Sequence, residues 1–351
     1  MRKLMLLVVS LAFLALFSST AFAFHDGGVA YCGGCHTMHN SVDGALVDAA
    51  HPNGNAYLLK YASASDLCLS CHATSRGAVW GADPLNPPAE KGAGNFVFLT
   101  EDNLNDGHNG HLSPIPGRAA GHNVNAPSQG AGPDGTLLTA PGGTFPSNRL
   151  ECSSCHDPHG NQNFRLLYGV GPVQVNLTNF VNPAPDAEGN SYNTAETNAI
   201  HTAYKGGMGA WCGNCHGDFH ANNTKLIHPS GRTLGGSIAN AYNSYNGTDD
   251  ITGGSQATAY ISAVPFEDPS NTTTSTAGPS ATSQVSCITC HRAHATSAQN
   301  AGRWDFGVTF LHEDGVESGS YAIPNPYNSL NQRSLCNKCH VKDAGDAPFE
   351  P

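Results

Sequence analysis

The sequence predicts a chain of mostly irregular coil, with short helical turns and few short strands, wrapped around covalently attached cofactors. Three observations predict this. Cysteine occurs only inside one repeated pattern, glycine and proline are abundant, and long amphipathic periodicity is absent outside the amino terminus.

The pattern is Cys-x-x-Cys-His, in six copies. They are Cys32, Cys35 and His36; Cys68, Cys71 and His72; Cys152, Cys155 and His156; Cys212, Cys215 and His216; Cys287, Cys290 and His291; Cys336, Cys339 and His340. Two cysteines at this spacing each form a thioether to one haem vinyl group, and the following histidine is the proximal iron ligand. The six copies use all 12 cysteines, so none is left for a disulfide or a nucleophile. Zinc knuckles or redox Cys-x-x-Cys pairs do not demand a histidine after every second cysteine. The fold class is therefore a multihaem cytochrome c organised around six stacked haems, with six covalently bound haem c as its cofactors.

The amino terminus fits export. Arg2 and Lys3 precede an apolar run from Leu4 to Phe17, followed by the small-x-small triplet Ala21-Phe22-Ala23. Residues 1–23 read as a signal peptide cleaved before Phe24, and residues 24–351 as one hexahaem domain. The apolar run is shorter than the roughly 20 residues that span a bilayer. No second such stretch follows, so no membrane span is expected in the mature chain. Covalent haem attachment in bacteria also takes place outside the cytoplasmic membrane, which agrees with export.

Composition sets the next bound. Gly 40 and Pro 22 make up about 18% of 351 residues, above the roughly 12% of average usage. A chain so poor in periodic apolar segments has little with which to offset its ordering entropy. The macrocycles are expected to serve as the core, with Phe, Tyr, Leu and Val on their faces, and the haem-free chain is expected not to fold. The Pro- and Gly-rich stretch 81–147 and the Ser/Thr-rich run 271–283 read as loops within one unit, the latter a possible O-glycosylated surface. The formal charge is −11, or −13 once Arg2 and Lys3 are removed. Lys and Arg total only 16 and are scattered, which excludes a nucleic-acid footprint.

The second axial ligand separates electron carrier from enzyme. Methionine is scarce: Met1 and Met5 leave with the signal peptide, and only Met38 and Met208 remain. Histidine is plentiful, since 18 less the six proximal residues leaves 12 for six distal positions. Bis-histidine ligation at every iron is the economical reading, and such irons move electrons without a vacant site. Four motifs carry a second histidine three or four residues on: His36/His39, His156/His159, His216/His220 and His291/His294. Side chains on one helical turn project to one side, so the second histidine is expected to reach a different haem or to ligate nothing.

Several blocks resemble a known family. They are Phe24-His25-x-Gly27-Gly28-Val29-Ala30, Cys-x-Gly-Cys-His-Thr-Met-His-Asn ending at Asn40, Gly121-His122-Asn123 and Cys152-Ser-Ser-Cys-His-Asp-Pro-His-Gly160. Further on come Trp211-Cys-x-Asn-Cys-His, Tyr242-Asn243-Ser244-Tyr245, Cys-x-x-Cys-His-Arg-Ala-His-Ala295 and Leu335-Cys-Asn-Lys-Cys-His340. Together they are similar to the hexahaem outer-surface cytochromes S of metal-reducing bacteria, and they keep the order of all six motifs. The loops 50–65 and 81–121 depart from that family. The resemblance implies extracellular filaments, cytochrome nanowires, with a continuous haem stack. It implies His39, His122, His159, His220, His228 and His294 as distal ligands, with His39 serving the fifth haem of the adjacent subunit. His25 also matches and stands in reserve. His51, His108, His111, His201 and His312 have no counterpart, although His51 in Ala-His-Pro-Asn-Gly echoes His228 in Ile-His-Pro-Ser-Gly.

The expected function is extracellular electron transfer by a secreted, self-polymerising cytochrome, with no catalytic residues. Its expected partners are further copies of itself, other multihaem cytochromes, and external acceptors such as metal oxides, electrodes or partner cells. The alternatives are a monomeric periplasmic carrier, in which His39 is satisfied within its own chain, and a multihaem reductase of nitrite, hydroxylamine or a sulfur oxyanion. The reductase would need one five-coordinate iron, and all six motifs end in histidine.

Overall fold

Frequent glycine and proline interrupt the backbone before long elements can propagate, and the regular structure is correspondingly short. The computed structural model describes residues 31–73, 79–100, 119–174, 177–190, 194–220, 228, 230–313 and 321–340. The signal peptide, His25, His108 and His111 lie outside the described residues.

The attachment motifs coincide with helical turns. Helix α1 is Cys32–Cys35, and a hairpin of β1 (Ser41–Val42) and β2 (Ala45–Leu46) follows. Its turn residues Asp43 and Gly44 adopt φ of 51° and 83°, the left-handed pair that two-residue hairpins favour. Helix α2, Ala64–His72, carries the second motif. The Ser63 hydroxyl caps it by accepting the Asp66 amide at 3.1 Å, and Asp66 lies in its first turn, where the helix dipole favours an acid. The third motif forms a single 3₁₀ turn, Cys152–Ser154. Two small antiparallel ladders come next: β3 (Gly171–Val173) with β4 (Thr178–Phe180), and β5 (Asp186–Glu188) with β6 (Ala203–Gly206). Helix α3 (Met208–Cys212) opens the fourth motif and α4 (Gly217–His220) closes it. Helix α6 (Cys287–Cys290) holds the fifth, and a 3₁₀ turn over Leu335–Lys338 the sixth.

Helix α5, Gly235–Ser244, was not expected from the sequence. Its apolar face is short, with Ala239 and Tyr242 as its buried residues, so the period is too brief to stand out. Burial of Tyr242 holds it, and the Tyr242 hydroxyl donates to the Val264 carbonyl at 2.8 Å.

The expectation that the macrocycles alone supply the core needs correction. Among the described residues, three apolar clusters are closed by protein itself. One gathers Trp80, the run Phe96–Leu99 and Leu69. The second gathers Tyr242, Tyr245, Tyr260, Phe266, Trp304 and Tyr327. A third, small cluster joins Tyr204, Met208 and Ile288. Aromatic residues scattered in sequence are brought together by tertiary folding, which a search for periodicity does not detect. Charged groups are buried there as well. Arg292 lies 2.7 Å from Glu90, and Arg303 donates to the carbonyls of Ile288, Ser262 and Gly92.

Candidate haem-binding sites

Four of the six proximal histidines, His36, His156, His216 and His291, are fixed from two directions. The backbone amide of each closes the attachment turn by donating to the carbonyl of the first cysteine, as from His36 to Cys32 at 2.9 Å and from His291 to Cys287 at 2.9 Å. Each ring is then aimed by a distant carbonyl. The Nδ1–H of His36 donates to Tyr57, of His156 to Arg165, of His216 to Pro141 and of His291 to Asn300, at 2.9, 2.7, 2.8 and 2.8 Å. A carbonyl only accepts, so these imidazoles carry their proton on Nδ1 and present Nε2 as a free lone pair, the tautomer an iron ligand needs.

Motifs one, three and five share a further device. The accepting residues Tyr57, Arg165 and Asn300 have φ of 56°, 51° and 59°. Their successors Leu58, Leu166 and Ala301 are also left-handed, at 58°, 57° and 55°. The chain thereby turns back onto the motif, and Lys60, Tyr168 and Arg303 each donate an amide to the motif's second cysteine. Paired left-handed non-glycine residues are costly and persist where surrounding structure enforces them, often at functional sites. The loops of the first and third motifs both end in Leu-Leu, but that of the fifth does not, so the sequence does not display the repeat at all three motifs.

His36 and His291 have left the helix, with extended φ, ψ of −113°, 153° and −115°, 157°. The expectation that the second histidine shares one helical turn with the first is therefore corrected for these motifs. The ring pairs are nonetheless inter-motif. His159 stacks with His36 at 6.4 Å between centroids and 9° between planes. His294 lies 6.5 Å from His156, His122 5.9 Å from His216, and His228 5.7 Å from His340. Two metal–imidazole bonds near 2 Å each put the ligating nitrogens about 4 Å apart. Adding roughly 1 Å from each nitrogen to its ring centre gives about 6 Å, and the four centroid separations lie near that value. The His228 and His340 Nε2 atoms are 3.4 Å apart, a few tenths short of that spacing. Among the described residues no three His, Cys, Asp or Glu side chains converge on a metal position, so the histidines meet in pairs.

The remaining histidines divide cleanly. His39 is exposed, and His220 has its Nδ1 buried without a hydrogen-bond partner. His51 donates Nδ1–H to the Asp48 carboxylate at 2.9 Å, so the echo of His228 in its sequence does not place it beside a proximal histidine. His201 is buried with both ring nitrogens against carbonyls, of Thr202 and Ser275, and stacks on Tyr260 at 3.8 Å. Met208 is buried in the third apolar cluster.

The cysteines show the spatial order of the motifs, which the sequence does not. Cys35 senses Cys71, Cys68 contacts Cys152, Cys155 senses Cys215, Cys212 contacts Cys287, and Cys290 senses Cys336 and Cys339. Neighbours in sequence are thus neighbours in space. Burial pushes the thiols of Cys155, Cys290 and Cys339 up to about 12, so these positions favour a neutral sulfur, as a thioether is.

No family model matches the chain. The C-type cytochrome OmcS of Geobacter sulfurreducens is 35% identical, over 98% of this chain and 100% of the relative. Among solved structures, the outer membrane cytochrome S filament of the same organism is 31% identical with a TM-score of 0.75. The OmcS nanowires determined by cryo-EM are 32% identical with a TM-score of 0.76. Each of these matches covers 91% of this chain and 100% of the solved one. With the attachment turns, the aimed imidazoles and near-complete coverage agreeing, the chain belongs to the OmcS family of c-type cytochromes, electron-transfer proteins that hold haem covalently.

Proposed function

We propose that this chain is a secreted hexahaem cytochrome that polymerises into an extracellular filament and passes electrons along it to outside acceptors. One regularity carries the reading. The second histidine of the third motif, His159, faces the first motif, and that of the fifth, His294, faces the third. Each odd motif thus lends its spare histidine to the motif two places earlier. The series leaves His291 of the fifth motif asking for a seventh, and His39 of the first motif exposed. A second copy placed end on resolves both, because its first motif is the seventh in line. His39 of one subunit then ligates the fifth haem of the subunit before it.

The same offset assigns His220 of the fourth motif to the second haem, opposite His72. The sixth and second motifs carry no second histidine within four residues, and His122 and His228 stand instead beside His216 and His340. The twelve histidines are then spent on six irons. Haem supplies reversible one-electron chemistry when bound; the chain supplies thioether anchors, two imidazoles per iron and short gaps between consecutive motifs. With two imidazoles holding each iron, no iron would be open to substrate, which argues against a reductase and supports a protein that is not an enzyme. Residues 1–23 direct export, and among the described residues no helix is long and apolar enough to cross a membrane.

Negative-stain microscopy of the secreted holoprotein, paired with electron paramagnetic resonance of its oxidised form, tests the proposal. Filaments with every iron low-spin are expected. A monomer with a stoichiometric high-spin haem that binds carbon monoxide when reduced would defeat it.

A further inference from the structure

The sixth attachment motif contains a buried lysine. Lys338 stands between Cys336 and Cys339, is fully enclosed, and turns its side chain into the second apolar cluster. Its Nζ donates to the Tyr245 carbonyl at 2.9 Å and, over a shorter distance, to the Tyr327 hydroxyl. It also lies 4.5 Å from the centre of the Tyr242 ring and 4.8 Å from that of Tyr327. Burial pulls the Lys338 pKa down, and two oxygen acceptors and two aromatic faces oppose that by favouring a cation. No carboxylate forms an ion pair with it among the described residues. Lys338 directly precedes Cys339, whose sulfur in the holoprotein is bonded to the haem.

An unpaired positive charge held in a low-dielectric interior acts strongly over short distances. Reduction lowers the positive charge on iron, so a nearby fixed cation favours the reduced form. Burial and local charge are among the levers by which a protein sets a haem potential. Resting on the hexahaem reading above, we infer that Lys338 is a redox-positioning residue, whose buried ammonium stabilises the electron on the haem held by Cys336, Cys339 and His340. The first motif has no counterpart: the intervening residues there are Gly33 and Gly34. The two ends of one subunit are thereby made unequal, with the sixth haem the better electron acceptor.

The test is spectroelectrochemical titration of the complete holoprotein at pH 6, comparing Lys338→Met, Lys338→Gln and Lys338→Arg with the parent. Haem number by mass and spin state by paramagnetic resonance are recorded alongside. In the Met and Gln variants one haem in six is expected to become at least tenfold harder to reduce, which is a downward shift of about 59 mV. The Arg variant is expected to stay near the parent. Gln still donates to the Tyr245 carbonyl, so it carries the test if Met fails to assemble. Parent-like potentials in a Gln variant with all haems attached and low-spin would show that Lys338 only packs the motif. A haem count other than six in the parent would instead count against the hexahaem reading.

Discussion

The first and sixth motifs use the same attachment chemistry and opposite support. Around the first, no residue of 31–61 belongs to an apolar cluster, and Tyr31, Met38 and Tyr57 are 75%, 75% and 62% exposed. Around the sixth, Tyr242, Tyr245 and Leu335 are each at most 1% exposed within a protein-closed aromatic cluster. The carboxy-terminal region brings its own core to its haem, whereas the amino-terminal lobe holds its shape with a two-strand hairpin and the Asn40–Asp48–Asn55 hydrogen bonds. An isolated hairpin is marginal in water. In the proposed filament, the exposed apolar side chains of this lobe are covered by haem and by the neighbouring subunit.

The sharpest way to break this comparison is His39→Ala. If the amino-terminal lobe is completed by a neighbour, the variant keeps six haems, forms no filaments and opens the distal position of the fifth haem. Mass, microscopy and carbon monoxide binding to the reduced form read the three outcomes. Long filaments with every iron low-spin would return the lobe to a role within its own chain.

Gly121→Ala asks whether ligand geometry in the interior is as tightly held as the contrast implies. Gly121 bridges to Ala295, and a Cβ there would collide with the His294 carbonyl. His122 donates its amide to that same carbonyl at 3.0 Å. The substitution therefore pushes apart the segments bearing His122 and His294, and high-spin signals at the third and fourth haems are expected together. A change at one haem alone would show that the two ligands move independently.

Stability sharpens the comparison further. Tyr242→Ala should cost about 3–5 kcal/mol, the usual range for truncating a buried aromatic. Val42→Ala in the exposed hairpin should change the unpolymerised subunit by less than about 0.5 kcal/mol. Denaturant titration of the two variants in non-filament-forming His39→Ala protein makes them comparable. Equal losses would mean the amino-terminal lobe is packed as firmly as the other end.

The two ends were also unequally legible in the sequence. Attachment residues were readable because thioether formation demands a fixed covalent spacing, and the coil architecture because glycine and proline act locally. The aromatic cluster was not, since Tyr242, Tyr260, Trp304 and Tyr327 meet only after distant segments fold together. The left-handed pairs at Tyr57, Arg165 and Asn300 were hidden because none is glycine, the usual marker of that conformation. Which histidine faces which motif was equally out of reach, being a matter of topology and not of spacing. A signal for the repeat did exist in hindsight: Asn-x-Tyr-Leu-Leu at 55–59 and Asn-Phe-Arg-Leu-Leu at 163–167 are alike and follow odd motifs.

The smallest expected effect concerns pH and lies where the two kinds of support meet. Glu267 is 1% exposed, and its Oε1 accepts the Met208 amide at 2.7 Å, tying the strand-like segment before the fifth motif to the helix of the fourth. Burial raises its pKa above the ordinary carboxylate value, against the amides of Met208 and Gly207, which pull it down. A raised carboxyl pKa means the folded state binds the proton more tightly than the unfolded state. Above both values the fold carries a buried charge at a cost. As pH falls through the folded value the proton is taken up and stability rises, levelling off below the unfolded value. Glu267→Gln keeps an oxygen for the Met208 amide, gives up the acceptor for Gly207 and removes the charge, so it should raise stability slightly at pH 7 and flatten this part of the profile. Denaturant midpoints of parent and variant between pH 4 and 7 measure it. A parent whose stability falls as pH drops from 7 toward 5, with the variant staying level, would mean that Glu267 is held ionised by its two amides and that burial is the lesser influence.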